Sequence, residues 1–163
     1  MPTPLPPPPD RIAAEQRAAA LAMLQRSGNR PTPLRLHLLE SLLALEAENG
    51  GATIDQLYLH LRQRGLPASV PGIYKVLAEL VAAQAVARHA VEHGPTIFVV
   101  ERPEYRTHLV CTCCGKVHGL ATSALREQLL AIARAQGFEV EDVAFTLRGR
   151  CHACASQPRR AAA

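Results

Sequence analysis

The chain has no tryptophan, and its aromatic residues are three tyrosines and three phenylalanines among 163. A core must therefore be built from Leu, Ala and Val, which a hydrophobic content of 48% supplies. No apolar run approaches the roughly 20 residues of a membrane span. The N-terminus has no basic start or apolar stretch of the export type and opens on a proline tract instead. The expectation is a cytoplasmic protein with no membrane partner. Phosphate-loop and dinucleotide fingerprints are missing, as is any ordered Ser/His/Asp series, which argues against an enzyme. A net charge of +4 is compatible with a polyanionic partner without requiring one.

What the chain does have is five cysteines in two clusters. Cys111-Thr112-Cys113-Cys114-Gly115 and Cys151-His152-Ala153-Cys154 each contain a Cys-x-x-Cys pair. Such a turn places two sulfurs on one side of a tight loop, and two turns complete a four-thiolate tetrahedron of the kind structural zinc occupies. Disulfides are the alternative, but they need an oxidising compartment. A thiol oxidoreductase would carry one pair at a helix N-terminus after a strand; two pairs beside strand ends fit a metal better. Thiolates select zinc ahead of harder divalent ions. Cys113 lies inside the first knuckle and is read as a bystander.

Patterning divides the chain into five segments. Residues 1–10 form a Pro-rich tail. Residues 11–100 predict helices over 11–26, 34–48, 54–64 and 70–83, then strands over 85–89 and 96–100. Asp10, Thr32 with Pro33, Thr53 with Gln56, and Ser69 are the expected N-caps. The short link between the third and fourth helices marks a helix-turn-helix, with Tyr74 and Lys75 near the start of the groove-entering helix. The strand pair around His93-Gly94-Pro95 would be a wing. Residues 101–105 form a polar hinge. Residues 106–155 alternate strands over 108–111, 116–120 and 138–147 with a helix over 123–136, and the apolar run Val143-Ala144-Phe145 suits dimerisation through an extended sheet. Residues 156–163 are a tail. The fold class is α+β: a winged helix-turn-helix domain followed by an α+β dimerisation domain with a four-cysteine zinc site.

These blocks together resemble the ferric uptake regulator family of bacterial transcription factors. The matching residues are Arg30-x-Thr32-x-x-Arg35, Ile73-Tyr74-Lys75-Val76-Leu77, Gly94, His108-Leu109-Val110-Cys111-x-x-Cys114-Gly115-Lys116-Val117, Gly137-Phe138, and Gly149-x-Cys151 with Cys154. The resemblance implies a homodimer that binds double-stranded DNA, at a palindromic operator, as a repressor. It also implies one structural Zn2+ per subunit on Cys111, Cys114, Cys151 and Cys154, and a second, regulatory Zn2+ or Fe2+ near the hinge. Arg35, Ser69, Tyr74 and Lys75 are the implied DNA-binding residues. Lys75 replaces the family's arginine, losing its bidentate fork, and Gly72 replaces a threonine.

The sensing site departs from the family pattern. Tyr105-Arg106-Thr107-His108 stands in place of a His-rich run and keeps only its last histidine, while Gly51, Gly119 and Val143 occupy other ligand positions. A remnant set would draw on His89, His93, Glu101, Glu104, His108 and His118, with His108 foremost. His37, His60 and His152 are read as structural or surface residues. The expected function is a metal-responsive DNA-binding regulator, with zinc favoured over iron. The alternatives are a family member whose degenerate site answers to redox or another signal, and a zinc-stabilised interaction protein with no DNA role.

Overall fold

A computed structural model describes residues 9–91, 94–102, 107–141 and 143–156. The chain divides into two units, residues 1–88 with 98–100, and residues 89–97 with 101–163.

The first unit is a helical domain. Helices α1 (Pro9–Arg26), α2 (Pro33–Asn49), α3 (Ile54–Gln63) and α4 (Val70–Ala82) agree with the patterning to within two residues. The helix α1 begins at Pro9, so Asp10 lies in its first turn and not at the cap. The other caps form as expected. Thr32 accepts from the Arg35 amide with Pro33 in the first turn, Thr53 and Gln56 close a capping box, and Ser69 accepts from the Gly72 amide. At Gly50, φ is 76°, a left-handed turn that frees α2 to end there. The buried cluster is almost wholly aliphatic, with Leu24, Leu38, Leu39, Leu42, Leu57, Leu61, Ile73, Leu77 and Leu80 at its centre.

Strands β1 (Val86–Ala90) and β2 (Thr96–Val100) pair as the wing. Phe98 exchanges both backbone hydrogen bonds with Ala52, at 2.8 and 3.0 Å, which ties β2 to the start of α3. The part of this hairpin from 89 to 97 groups with the second unit, whereas a boundary at residue 100 was expected. His93, Glu104, residues 1–8 and residues 157–163 lie outside the described residues, whereas Pro9 and Asp10, expected in the first tail, belong to α1.

The second unit holds a three-stranded sheet in the order β4 (Val117–Leu120), β3 (Thr107–Cys111), β5 (Phe145–Gly149), with helix α5 (Ser123–Ala135) and the short α6 (His152–Ala155). The β3–β4 pair is antiparallel and the β3–β5 pair parallel. The last strand starts at Phe145, seven residues later than the alternation at 138 suggested. Phe138, Glu139 and Glu141 are exposed, and the run Val143-Ala144 precedes the strand, so only Phe145 of that apolar trio enters the ladder.

One buried carboxylate knits α1, α2 and α3 together. Glu40 receives Arg17 at 3.1 Å, Arg64 at 3.2 Å and the His37 ring at 3.3 Å, while its own side chain is 6% exposed. Both arginines keep their heads partly in water. Removing the carboxylate leaves them solvated, whereas removing both arginines strands a buried charge. In urea unfolding, Glu40→Ala is expected to lose about 1–3 kcal/mol and the Arg17→Ala/Arg64→Ala double variant to lose more, about 3–5 kcal/mol; the reverse order would refute this asymmetry.

Candidate metal centre and nucleic-acid interface

Parallel pairing sets the ends of β3 and β5 side by side, since Cys111 stands opposite Gly149. The chain leaving each strand end is a Cys-x-x-Cys knuckle, so the two knuckles meet. The Thr112 amide donates to the Gly149 carbonyl at 2.8 Å, and the Cys111 amide to the Lys116 carbonyl at 2.9 Å. Gly115 adopts a φ of 75°, which turns the chain back into β4.

The sulfurs of Cys111, Cys114, Cys151 and Cys154 all lie within 4.8 Å of one another. Cys114 Sγ and Cys151 Sγ are 3.8 Å apart. Metal–sulfur bonds of about 2.3 Å give tetrahedron edges of about 3.8 Å, so the group fits a zinc ion by both donor chemistry and spacing. None of the five cysteines forms a disulfide. Cys113 is exposed and stands outside the four-sulfur group.

The backbone prepares the group for charge. The Cys151 amide donates to Cys111 Sγ at 3.3 Å. Burial pushes the Cys111 thiol up, but the amides of Cys114, Cys151 and Cys113 together outweigh it and bring its pKa down to about 6. For Cys114 the Lys116 amide pulls down, yet burial and the Cys111 thiol prevail and the pKa is raised. Cys154 is raised chiefly by hydrogen bonding with Cys151, then with Cys113 and Cys114. The Arg150 guanidinium donates to the Cys154 carbonyl and holds the second knuckle.

The remnant sensing set comes together only in part. His89 and His108 are both buried, with ring centroids 4.8 Å apart and planes at 63°. Burial, then His108, then Arg148 bring the His89 pKa down to about 4, so its ring is neutral at pH 7. His89 Nε2 is buried with no hydrogen-bond partner. His118 lies on the other face of the sheet. It stands opposite the exposed Leu109, while His108 stands opposite Gly119, and side chains alternate between faces along a strand. Glu101 is half-buried just past β2. Among the described residues the four cysteines are the one set of three or more ligand groups close enough to share an ion; of the remnant set, His89 and His108 are brought together.

On the helical unit, α4 exposes Val70, Pro71, Tyr74, Lys75 and Ala78, one stripe at helical spacing. Tyr74 is 58% exposed. The Ser69 hydroxyl accepts the Gly72 amide, and a Cβ at Gly72 would come within 3.0 Å of that oxygen, so the glycine leaves the cap undisturbed. Arg35 is held by Glu79, Nη2 to Oε2, at 2.6 Å. Sequence reasoning missed Glu79; its position one turn beyond Lys75 was the available signal.

A sequence model of the ferric uptake regulator family matches residues 14–148. The ferric uptake regulation protein of Legionella pneumophila is 29% identical over 131 residues, covering 80% of this chain and 95% of that one. Among solved structures, the ferric uptake regulator of Pseudomonas aeruginosa with manganese aligns at TM-score 0.65 and 26% identity, covering 82% of this chain and 98% of that one. That of Vibrio cholerae aligns at TM-score 0.60 and 27% identity, covering 80% and 98%.

A metal entering the four-sulfur group must displace protons, most of all from Cys114 and Cys154, so its affinity rises with pH. A chelator should therefore strip the ion faster at pH 6 than at pH 8, and an equal rate at both would contradict thiolate ligation. Cys151→Ser should abolish amide-exchange protection in β3 and β5 while sparing α2 to α4. Unchanged protection in β5 would show that the cluster does not hold the sheet.

Proposed function

The chain belongs to the ferric uptake regulator family, whose members are transcription regulators and not enzymes, and on that premise we propose that it is a cytoplasmic, homodimeric, sequence-specific DNA-binding repressor. It carries a zinc ion on Cys111, Cys114, Cys151 and Cys154. It answers to a second divalent metal, zinc ahead of iron. The observation that carries the reading is the presence, in one chain, of an exposed α4 stripe and of the first knuckle's Cys111 and Cys114 inside the family match, with Cys151 and Cys154 just beyond its end completing a four-sulfur group of zinc dimensions.

DNA binding is supported by the α3–α4 helix-turn-helix with its wing, and by Tyr74 and Lys75 on the open face of α4. Lys75 offers a point charge suited to a phosphate, and Tyr74 a hydroxyl and ring suited to a base edge or sugar. Ser69 and Gly72 keep the helix N-terminus intact for the same backbone. Dimerisation is supported by apolar side chains left open in the second unit. Leu109 and Leu147, in register on one sheet face, are 39% and 47% exposed, and Ile132 and Phe138 are 62% and 69% exposed. A two-fold dimer would read a palindromic operator.

The metal response is assigned to His108, which occupies a family ligand position, with His89 beside it. A second reading is favoured by a specific observation: His118 faces away, Gly119 stands opposite His108, and the Arg148 charge bears on His89, an arrangement poor for a cation. In that reading the chain binds DNA but takes its signal from redox chemistry or another source.

Metal content per subunit, measured after mild chelator dialysis and again after adding zinc or iron(II), decides between them. One retained zinc plus a reversible second ion that tightens operator binding supports the first reading; one zinc with no second ion supports the other. In the first case His108→Ala should keep the retained zinc and lose the metal-dependent gain in DNA affinity. Tyr74→Ala should weaken operator binding by about 1–3 kcal/mol, and an unaffected Tyr74→Ala variant would contradict the assignment of α4.

A further inference from the structure

Arg35 and Lys75, the lysine of the open α4 stripe, both bear on a single carboxylate, Glu79. Arg35 Nη2 donates to Glu79 at 2.6 Å and its Nη1 to the Arg30 carbonyl at 2.8 Å. Both terminal nitrogens of the guanidinium are thus held within the protein, and only 20% of the Arg35 side chain is exposed. A phosphate is gripped by this same fork of terminal nitrogens. Phosphate and Glu79 therefore compete for one set of donors. Glu79 is also one helical turn from Lys75, so its charge offsets part of the remaining positive field of the stripe. The hydrogen bond from Arg35 holds the Glu79 carboxyl below its usual range, so the competitor is ionised at neutral pH.

We propose that Glu79 is a specificity-determining residue of the DNA-binding surface: it keeps Arg35 off the phosphate backbone until α4 is seated in its operator, when Arg35 exchanges the Glu79 carboxylate for a phosphate. The inference rests on the DNA-binding reading above. On arbitrary DNA no base contacts offset the loss of the Arg35–Glu79 pair, so Arg35 stays on Glu79 and binding is weak. On the operator those contacts drive the exchange. The carboxylate thus acts against the wrong sequence more than it acts for the right one.

The test uses the full-length, metal-loaded protein, a random-sequence duplex and a duplex selected for tight binding, with affinities measured by fluorescence anisotropy across a salt series. Glu79→Gln should tighten binding to the random duplex severalfold. It should also steepen the dependence of log affinity on log salt by about one per subunit, the signature of one more phosphate contact. Glu79→Asp, which keeps the charge, should retain the wild-type slope. Arg35→Gln gives an arm that does not rely on altering Glu79. It should lower the slope on the selected duplex by about one per subunit and leave the slope on the random duplex unchanged. A Glu79→Gln slope equal to wild type on random DNA, or an Arg35→Gln variant that lowers both slopes alike, overturns the inference while DNA binding itself stands. A wild-type protein that binds neither duplex at any salt overturns the DNA-binding reading, and this inference with it.

Discussion

The constraint on which the second unit depends is the parallel alignment of β3 with β5. It brings two knuckles, separated by nearly forty residues of sequence, into one four-sulfur group. The unit's own buried aliphatic set is small, with Ile97, Val110 and Val117 among the described residues. Helix α5 has no buried residue, and β5 is exposed along most of its length. A sheet with so small a core gains most from a metal, whose binding free energy is coupled to folding. The same poverty of burial leaves Leu109, Leu147, Ile132 and Phe138 open, the surface on which a second copy would complete the core. Metal binding and the proposed dimerisation would be two answers to one deficit.

The helical unit solves its stability differently. Leu-rich faces of four helices converge on an aliphatic interior, and the charged group buried beside it, Glu40, enters with partners. Its surface is then free for recognition. The stripe on α4 carries one lysine and an exposed tyrosine, while the nearby arginine is occupied by Glu79. A chain of modest net charge, +4, has less non-specific attraction to DNA to restrain than a strongly basic one, and local pairing of this kind restrains it further.

Much of this was legible in the sequence because the signals are local. Thr32-Pro33, Thr53 with Gln56, and Ser69 each set a helix start through a hydrogen bond within three residues, and all three form. The cysteine spacing carried its geometry within each knuckle, and the pairing of knuckles followed from strand order. What escaped was non-local. The arginine pairs of Glu40 and Glu79 join residues from 23 to 44 positions apart, beyond any periodicity. The face occupied by His118 depends on the register of the β3–β4 hairpin, where a slip of one residue would invert it. The apolar spacing of Phe138, Val140 and Val143 suggests an earlier strand start, but among the described residues the ladder begins at Phe145.

The central claim, a zinc ion held by four thiolates that clamps the ends of β3 and β5, is tested most directly by X-ray absorption at the zinc edge on the purified protein, together with elemental analysis. The account predicts one zinc per chain in a shell of four sulfur atoms at about 2.3 Å. A metal-free folded protein, or a zinc shell containing nitrogen or oxygen in place of one or more sulfurs, would contradict it.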